Sequence, residues 1–177
     1  MKATGIVRRV DELGRIVIPK ELRRVLRIKE GDEMEIYTKE EGELILKRYS
    51  TLGRLKEHAG AYAETVADVL GGTVLITDTN EIIAAAGLHK AAYSGARLSQ
   101  KMLELLDRRQ QQEFGGNTLI KITPEDTGGA KCQIIIPITA HGDVYGSLVI
   151  LLVTETASEA HRKVAQSAAG FLHTTVA

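Results

Sequence analysis

The sequence has few aromatic residues and almost no cysteine. Its 177 residues include no tryptophan, two phenylalanines and one cysteine, Cys132. A single cysteine excludes an intrachain disulfide, and its place in a strand-like run beside Ile134 and Ile136 favours a small buried thiol over a redox group. Because aromatic side chains are scarce, any core must be built from Ile, Val, Leu and Ala.

Long apolar runs and net charge are also lacking. No window approaches the roughly 20 apolar residues that span a bilayer, and residues 1–20 are charged throughout, so neither a membrane segment nor an export signal is predicted. We therefore expect a cytoplasmic chain. Its 23 basic and 23 acidic side chains cancel, and a content of 44% hydrophobic and 26% charged residues is typical of a globular protein.

The charges are unevenly distributed along the chain. Residues 1–27 carry eight basic and three acidic side chains, residues 28–50 carry four and seven, and the remaining 127 residues carry 11 and 13. Positive charge gathered at one end of a neutral chain indicates a polyanion binder. Most of these cations are arginines, whose planar guanidinium grips a phosphate or a guanine edge with two hydrogen bonds. A solvated charged surface is the alternative interpretation.

Residues 5–27 have the pattern of two strands and a helix. The β-branched runs at 6–7 and 16–18 are typical of strands, and Leu13-Gly14 between them supplies a turn. Pro19 is expected at the first position of a short helix, where it loses no hydrogen bond. Helical spacing separates an apolar side from a basic side. The apolar side consists of Leu22, Val25 and Leu26, and the basic side consists of Arg23, Arg24 and Arg27.

A short hairpin follows this basic segment. Residues 34–38 alternate apolar and polar side chains, residues 39–42 form a turn, and residues 44–46 begin the return strand. About 50 residues with strands this short bury little apolar surface alone, so dimerisation is close to a requirement for stability. A dimer would also suit a DNA site with two halves.

Residues 1–50 resemble an AbrB-type DNA-binding domain. The motifs that carry this resemblance are GIVR, DELGRIVIP, ELRR and the EGD turn before the final hairpin. It implies a β-rich swapped-hairpin fold, in which two chains interleave their strands as a homodimer and present arginines to double-stranded DNA. Carried over by position, the resemblance implies DNA contacts by Arg8, Arg15, Arg23 and Arg24, with Arg9 and Lys2 as further phosphate contacts.

Residues 51–53 are interpreted as a linker, and residues 54–177 as a second domain of mixed helices and strands. The predicted helices span 54–70 and 99–112, with a closing helix capped by Ser158. The predicted strands are 73–77, 82–86, 118–123, 131–139 and 144–153, and residues 87–95 are expected to be irregular. A hairpin signal at His141-Gly142-Asp143 joins the last two strands. The order predicts an α+β fold with an antiparallel sheet.

This order, with the strand pair CQIIIPITAHGDVYGSLVILLV, is similar to a GAF domain, an α/β sandwich. The two domains together resemble a family of transcription regulators of endospore formation, in which GAF-like helices pair dimers into a homotetramer. Small side chains on the first and last helices allow close approach, so we expect the oligomer bundle there. These alanines are Ala59, Ala61, Ala63, Ala67, Ala165, Ala168 and Ala169.

A small-molecule effector in the GAF-like domain is left open. Four apolar residues either line a ligand cavity or fill a core, and the sequence does not distinguish the two. They are Ile83, Leu119, Ile136 and Val149.

Motifs for catalysis are lacking. There is no G-x-x-x-x-G-K-[ST] loop and no G-x-S-x-G elbow. The five histidines are dispersed, without an i, i+4 pair or a nearby cysteine, which favours surface or core positions over metal ligands. We therefore expect no enzymatic activity, no cofactor and no metal site.

The sequence favours a sequence-specific transcription regulator, activating or repressing, that associates with the nucleoid. The alternative is an antitoxin-like protein-binding module with autoregulatory DNA binding. That alternative predicts a short, charged and disordered tail, whereas residues 54–177 have a regular apolar pattern that is typical of a folded domain.

Overall fold

A computed structural model of the chain describes residues 5–28, 30–39, 42–49, 52, 56–126 and 128–176. Lys2, one of the predicted DNA contacts, lies outside these residues, as does the predicted linker except for Leu52. The chain divides into two compact units, residues 1–49 and 50–177. The domain limits at 50 and 54 stay predictions.

The described part of the first unit contains one short helix and one hairpin. Helix α1 spans Lys20–Leu26, and strands β1 (Met34–Thr38) and β2 (Leu44–Arg48) pair antiparallel. The helix and hairpin predictions are confirmed. Pro19 occupies the N-cap, one residue before the helix, and not its first helical position.

The strands predicted at 6–7 and 16–18 are absent from the single chain. Within the described residues 5–18, the chain forms a turn over residues 11–15 but no strand. A strand exists only where its N–H and C=O groups pair with a neighbouring strand. The β-branched pattern is therefore present, but these segments do not form strands within the described residues.

The second unit is built on one antiparallel sheet of five strands in the order β4-β3-β7-β6-β5. The strands are β3 (Thr73–Thr77), β4 (Ile82–Ala86), β5 (Gln112–Gly115), β6 (Cys132–Ala140) and β7 (Asp143–Leu152). The α-helices in the described residues of this unit are α2 (Lys56–Leu70), α3 (Lys90–Tyr93), α4 (Gln100–Leu106) and α5 (Glu159–Thr174), and a 3-10 turn spans Gly116–Thr118. Together with the hairpin of the first unit, this confirms the predicted α+β fold with antiparallel sheets.

Both faces of this sheet are buried, which divides the core into two layers. Along β7, Ile150 packs with residues of α2 and α5, whereas its neighbours Val149 and Leu151 pack with residues of α4. Successive strand residues point to opposite faces, so a strand covered on both sides is apolar without interruption. The sheet is therefore the middle layer of a three-layer unit. Cys132 is buried in the first of these layers, as predicted.

Two predicted helix caps and the predicted hairpin are confirmed. The Ser99 hydroxyl accepts a hydrogen bond from the Met102 amide at 3.0 Å, and the Ser158 hydroxyl accepts one from the His161 amide at 3.2 Å. The β6–β7 loop consists of His141 and Gly142, both with positive φ. Two such residues are what a tight primed turn needs, since its twist matches that of the strands.

Residues 87–123 differ most from prediction. Helix α4 ends at Leu106 and not near Gln112, because Arg109 adopts positive φ and the chain turns. Residues 112–115 then pair with β6 as a strand, whereas the predicted strand 118–123 is absent. The segment expected to be irregular, 87–95, contains the helical turn α3.

The alanines of the two long helices are used inside the unit. All but the exposed Ala61 and Ala160 are buried in the core layer between α2, α5 and the sheet: Ala59, Ala63, Ala67, Ala165, Ala168 and Ala169. Their small side chains allow each helix to lie close to its own sheet. The expectation that these alanines form an intermolecular bundle is therefore wrong. The large exposed apolar side chains of the same helices are Val69 and Phe171.

Candidate nucleic-acid interface

Five of the six predicted DNA contacts fall on described residues, and all five side chains are exposed: Arg8, Arg9, Arg15, Arg23 and Arg24. Arg8 and Arg9 precede the turn at 11–15, Arg15 closes that turn, and Arg23 and Arg24 lie in α1. Among the described residues, Arg15 is the member of this set that pairs with a carboxylate. The guanidinium groups of the other four arginines are accessible to solvent or to a ligand.

The turn at 11–15 is held by one carboxylate. The Asp11 Oδ1 atom accepts hydrogen bonds from the Leu13 amide at 3.0 Å and the Arg15 amide at 2.8 Å. The Asp11 Oδ2 atom accepts one from the Arg15 Nε at 2.8 Å. Gly14 has φ of 75° and donates its amide to the Asp11 carbonyl. Bonds to the backbone and guanidinium of Arg15 lower the pKa of Asp11, since they favour the ionised carboxylate.

Sequence reasoning did not single out Asp11. A signal for it was available, because aspartate followed by a glycine-containing turn is typical of an Asx turn, in which the carboxylate accepts backbone amides two residues on. Its bond to the guanidinium of Arg15 depends on how the turn folds.

Helix α1 exposes its arginines because it buries none of its own residues. Val25 and Leu26, two members of the predicted apolar side, are exposed along with Arg23 and Arg24. The chain leaves the helix through Arg27 in the left-handed conformation, and the Ile28 amide donates to the Arg23 carbonyl at 2.8 Å. This arrangement closes the helix with backbone hydrogen bonds alone.

Apolar side chains in the rest of the first unit are exposed as well. Ile36 is opposite Leu46 in the hairpin, and both lie on the same face as Leu44. Ile36 is 64% exposed and Leu44 63%. A two-stranded hairpin is at best marginally stable in water, so an uncovered apolar face of this kind indicates a partner surface.

The second unit has a cavity of about 210 Å³ on the α4 side of its sheet. At its wall the Tyr93 hydroxyl donates to Asp126 Oδ1 at 2.9 Å, and the Ile122 and Gly128 amides donate to the same carboxylate. Burial, and then the Asp126 hydrogen bond and charge, raise the pKa of Tyr93. The cavity is lined by Tyr93, Leu119, Ile120, Lys121, Asp126, Gly128, Ala130 and Gln133.

The four residues considered for a ligand cavity do not share one. Ile83 and Ile136 belong to the core layer beside α2 and α5, whereas Val149 lies in the opposite layer. Leu119 lines the cavity. Three of the four therefore fill the core.

Among the described residues, neither a metal-binding cluster nor a membrane-spanning helix is present. No three His, Cys, Asp or Glu side chains in that part of the chain come together as a metal site requires. Over the same residues, none of the helices has the length and apolar character that crossing a bilayer demands.

Comparisons with known proteins identify both units. Residues 54–176 match the family model described as "Stage V sporulation protein T C-terminal, transcription factor", and residues 7–53 match "Antidote-toxin recognition MazE, bacterial antitoxin". The transition state regulatory protein AbrB of Bacillus subtilis (strain 168) is 65% identical over 49 residues, which are 28% of this chain and 50% of AbrB. The units thus define a transcription factor with an AbrB-type DNA-binding domain and a GAF-like domain.

The whole chain is 42% identical over 175 residues to stage V sporulation protein T of Bacillus subtilis (strain 168), with 97% of each protein covered. The chain belongs to the stage V sporulation protein T family, a family of transcription factors of sporulation.

Solved structures share the fold of the second unit. The GAF domain of an Acinetobacter phosphoenolpyruvate-protein phosphotransferase has a TM-score of 0.57 at 14% identity, with 73% of this chain and 84% of that one covered. The cofactor-binding GAF domain of the nutrient sensor CodY from Clostridium difficile has a TM-score of 0.53 at 15% identity, covering 70% and 92%. At these identities the likeness establishes the GAF-like fold.

Proposed function

We propose that the first unit binds double-stranded DNA as an interleaved homodimer, through a set of exposed basic side chains. The contacts are Arg8, Arg15, Arg23 and Arg24, with Arg9 and Lys2 adding phosphate contacts. The observation that carries this proposal is the exposure of five arginines in a segment with eight basic and three acidic side chains, within a chain of zero net charge. AbrB-type domains bind DNA and form dimers.

The uncovered apolar surface of the first unit supports the interleaved dimer. Residues 6–7 and 16–18 have strand-forming sequences but form no strand within the described residues. Strand pairing with a second copy would use these segments and cover the face formed by Ile36, Leu44 and Leu46. The dimer also doubles the number of arginines facing one DNA site.

The second unit then joins two dimers into a homotetramer and has no catalytic role. Exposed apolar side chains on α2 and α5 support this assembly. One of them is Phe171, which is half-exposed and whose ring centroid lies 4.8 Å from that of Tyr62. Two DNA-binding dimers held in one molecule gain avidity from effective concentration. We place the protein in the cytoplasm, on the nucleoid.

An effector, if the second unit binds one, would occupy the cavity beside Tyr93 and Asp126. The polar groups that wall it already bind one another, which favours a structural role for this region. Thermal-shift screening of the full chain against nucleotides and amino acids tests this, since a bound ligand raises the unfolding temperature.

DNA binding measured across a range of salt concentrations tests the proposal. If each dimer neutralises roughly 6–8 phosphates, log affinity falls with log salt at a slope of about −5 to −7. Arg23→Ala and Arg24→Ala should each weaken binding and flatten the slope by about 2, because each substitution removes one phosphate contact from both chains of the dimer. Lys101→Ala, an exposed cation of the second unit, is the matched control and should leave both unchanged. A slope near zero, or arginine variants that bind like Lys101→Ala, would contradict the proposal.

An antitoxin-like module is the second candidate, because residues 7–53 match an antitoxin family model. That function needs a disordered tail that folds around a toxin, whereas residues 56–126 and 128–176 contain the five-stranded sheet unit. Co-expression with a growth-inhibiting toxin partner separates the candidates: rescue of growth supports the antitoxin, and lack of rescue with intact DNA binding supports the regulator.

A further inference from the structure

We propose that Asp11 is a positioning residue for DNA recognition: its carboxylate fixes the guanidinium of Arg15 and leaves both Nη atoms free to bind a phosphate or a guanine edge. This inference rests on the proposed function, in which Arg15 contacts DNA. It extends that function to a residue whose own charge would repel DNA.

The geometry separates two tasks of the carboxylate. Oδ1 accepts the Leu13 and Arg15 amides and shapes the turn, while Oδ2 accepts the Arg15 Nε at 2.8 Å. One rigid group thus holds both the backbone and the side chain of Arg15. All of these contacts lie within five residues, so they form without a second chain.

The remaining donors of Arg15 suit a DNA ligand. Its Nη1 and Nη2 atoms make no hydrogen bond within the described part of the chain, and the side chain is 70% exposed. Those two atoms form the end of the guanidinium fork that grips a phosphate or the O6 and N7 of guanine. Binding through Nε alone removes rotamer freedom before DNA arrives, and preorganisation lowers the entropic cost of recognition.

The other proposed DNA contacts on described residues lack this arrangement. Arg8 donates from Nη1 to the neighbouring Val7 carbonyl at 3.2 Å, and neither Arg23 nor Arg24 pairs with a carboxylate among the described residues. Glu12 lies in the same turn as Asp11 and is exposed, without a bond to Arg15. It therefore supplies a control of equal charge.

Asp11→Asn separates positioning from charge. Asparagine keeps an Oδ1 that accepts the two amides but replaces the Nε acceptor with a donor. Removal of an anion strengthens binding to any DNA, so this effect cancels in a ratio of two affinities. The test therefore compares the affinity of the full chain for two duplexes of equal length. One duplex is recovered by in vitro selection with the unmodified protein, and the other has a mixed sequence.

Asp11→Asn should lower this ratio by about two- to fivefold, the range of an exposed ion pair. Glu12→Gln should raise both affinities and leave the ratio unchanged. In an Arg15→Ala background, Asp11→Asn should change the ratio no more than Glu12→Gln does, since the group it positions is absent. The ¹⁵N resonance of Arg15 Nε should move in Asp11→Asn while the Leu13 amide stays in place.

The outcomes separate this inference from the proposed function. If Arg15→Ala binds as tightly as the unmodified chain, the proposed DNA contact fails and the positioning role fails with it. If Arg15→Ala weakens binding but Asp11→Asn behaves like Glu12→Gln, Asp11 merely shields charge and only the inference is overturned. An unmoved Arg15 Nε resonance in Asp11→Asn would overturn it as well.

Discussion

Gly146 lies in β7 where the backbone of β3 leaves no room for a side chain. A Cβ placed on Gly146 would overlap the Thr77 carbonyl oxygen and lie 2.8 Å from the carbonyl carbon. Both contacts are backbone atoms, so rotation of a side chain cannot relieve them. Next to this point Thr77 pairs with Ser147, and their hydroxyls lie 2.8 Å apart in the buried sheet. Glycine is required here by the close approach of two central strands.

We predict that Gly146→Ala lowers the free energy of unfolding by about 3 kcal/mol, because the added methyl group forces β3 and β7 apart. Chemical denaturation followed by circular dichroism measures this. Gly170→Ala is the control: its Cβ would meet open space in α5, so it should stabilise the protein by about 0.5–1 kcal/mol. Equal stability of the two variants would show that the strands can separate at no cost.

At the scale of elements, a two-pronged ion pair joins β5 to α5. Arg162 donates from Nε to Glu113 Oε2 at 2.8 Å and from Nη2 to Oε1 at 2.9 Å. The Arg162 hydrogen bonds lower the pKa of Glu113, and burial opposes them to a smaller extent. Strand β5 is short and at the edge of the sheet, so this pair ties it to the closing helix.

The stabilisation from this pair should depend on pH. The pKa of Glu113 is lower in the folded chain than its ordinary value of 4.5, so the stabilisation is complete above pH 4.5 and is lost as the pH falls through the folded value. Glu113→Gln should therefore destabilise the protein at pH 7, and the difference from the unmodified chain should shrink below pH 4.5.

Thermal unfolding of both proteins across that pH range measures the effect. Glu159→Gln, which breaks the exposed Glu159–Lys163 pair within α5, should change stability little at either pH. A Glu113→Gln difference that is the same at every pH would rule out the ion pair as its cause.

The elements were predictable where a local signal decides them. Ser99 and Ser158 begin helices because their hydroxyls satisfy free amides, which depends on a few neighbouring residues. Residues 107–112 are polar and compatible with a helix, so their sequence does not show where α4 ends. The strand β5 that follows is defined by its pairing with β6. Near 118–123, the Gln133 side chain binds both the amide and the carbonyl of Ile120, which takes the place of a strand partner.

At the scale of the whole molecule, the two units differ in how they cover apolar surface. The second unit buries two core layers around its sheet. The first unit leaves Ile36, Leu44 and Leu46 exposed on one face of its hairpin. If a second copy of the chain covers this face, the stability of the first unit increases with protein concentration.

We predict that Ile36→Glu breaks the proposed contact between first units, lowers the mass of the assembly and weakens DNA binding, because a carboxylate would be buried in the proposed interface without a partner. Light scattering after size-exclusion chromatography measures the mass. Leu88→Glu is the control, since Leu88 is 77% exposed in the second unit and lies outside the proposed interface. If Ile36→Glu keeps the mass of the unmodified chain, the hairpin face is not the dimer contact.

The sequence by itself determined the features that depend on neighbouring residues. These include the gathered charge of residues 1–27, the helix caps, the two-residue turn at His141-Gly142 and the α+β order, because charge, caps and turns act over a few positions. The tertiary structure alone decided which apolar residues meet. It buried most alanines of α2 and α5 in their own core and made residues 112–115 a strand. Burial and pairing depend on which segments the fold brings into contact, and residue spacing does not contain that information.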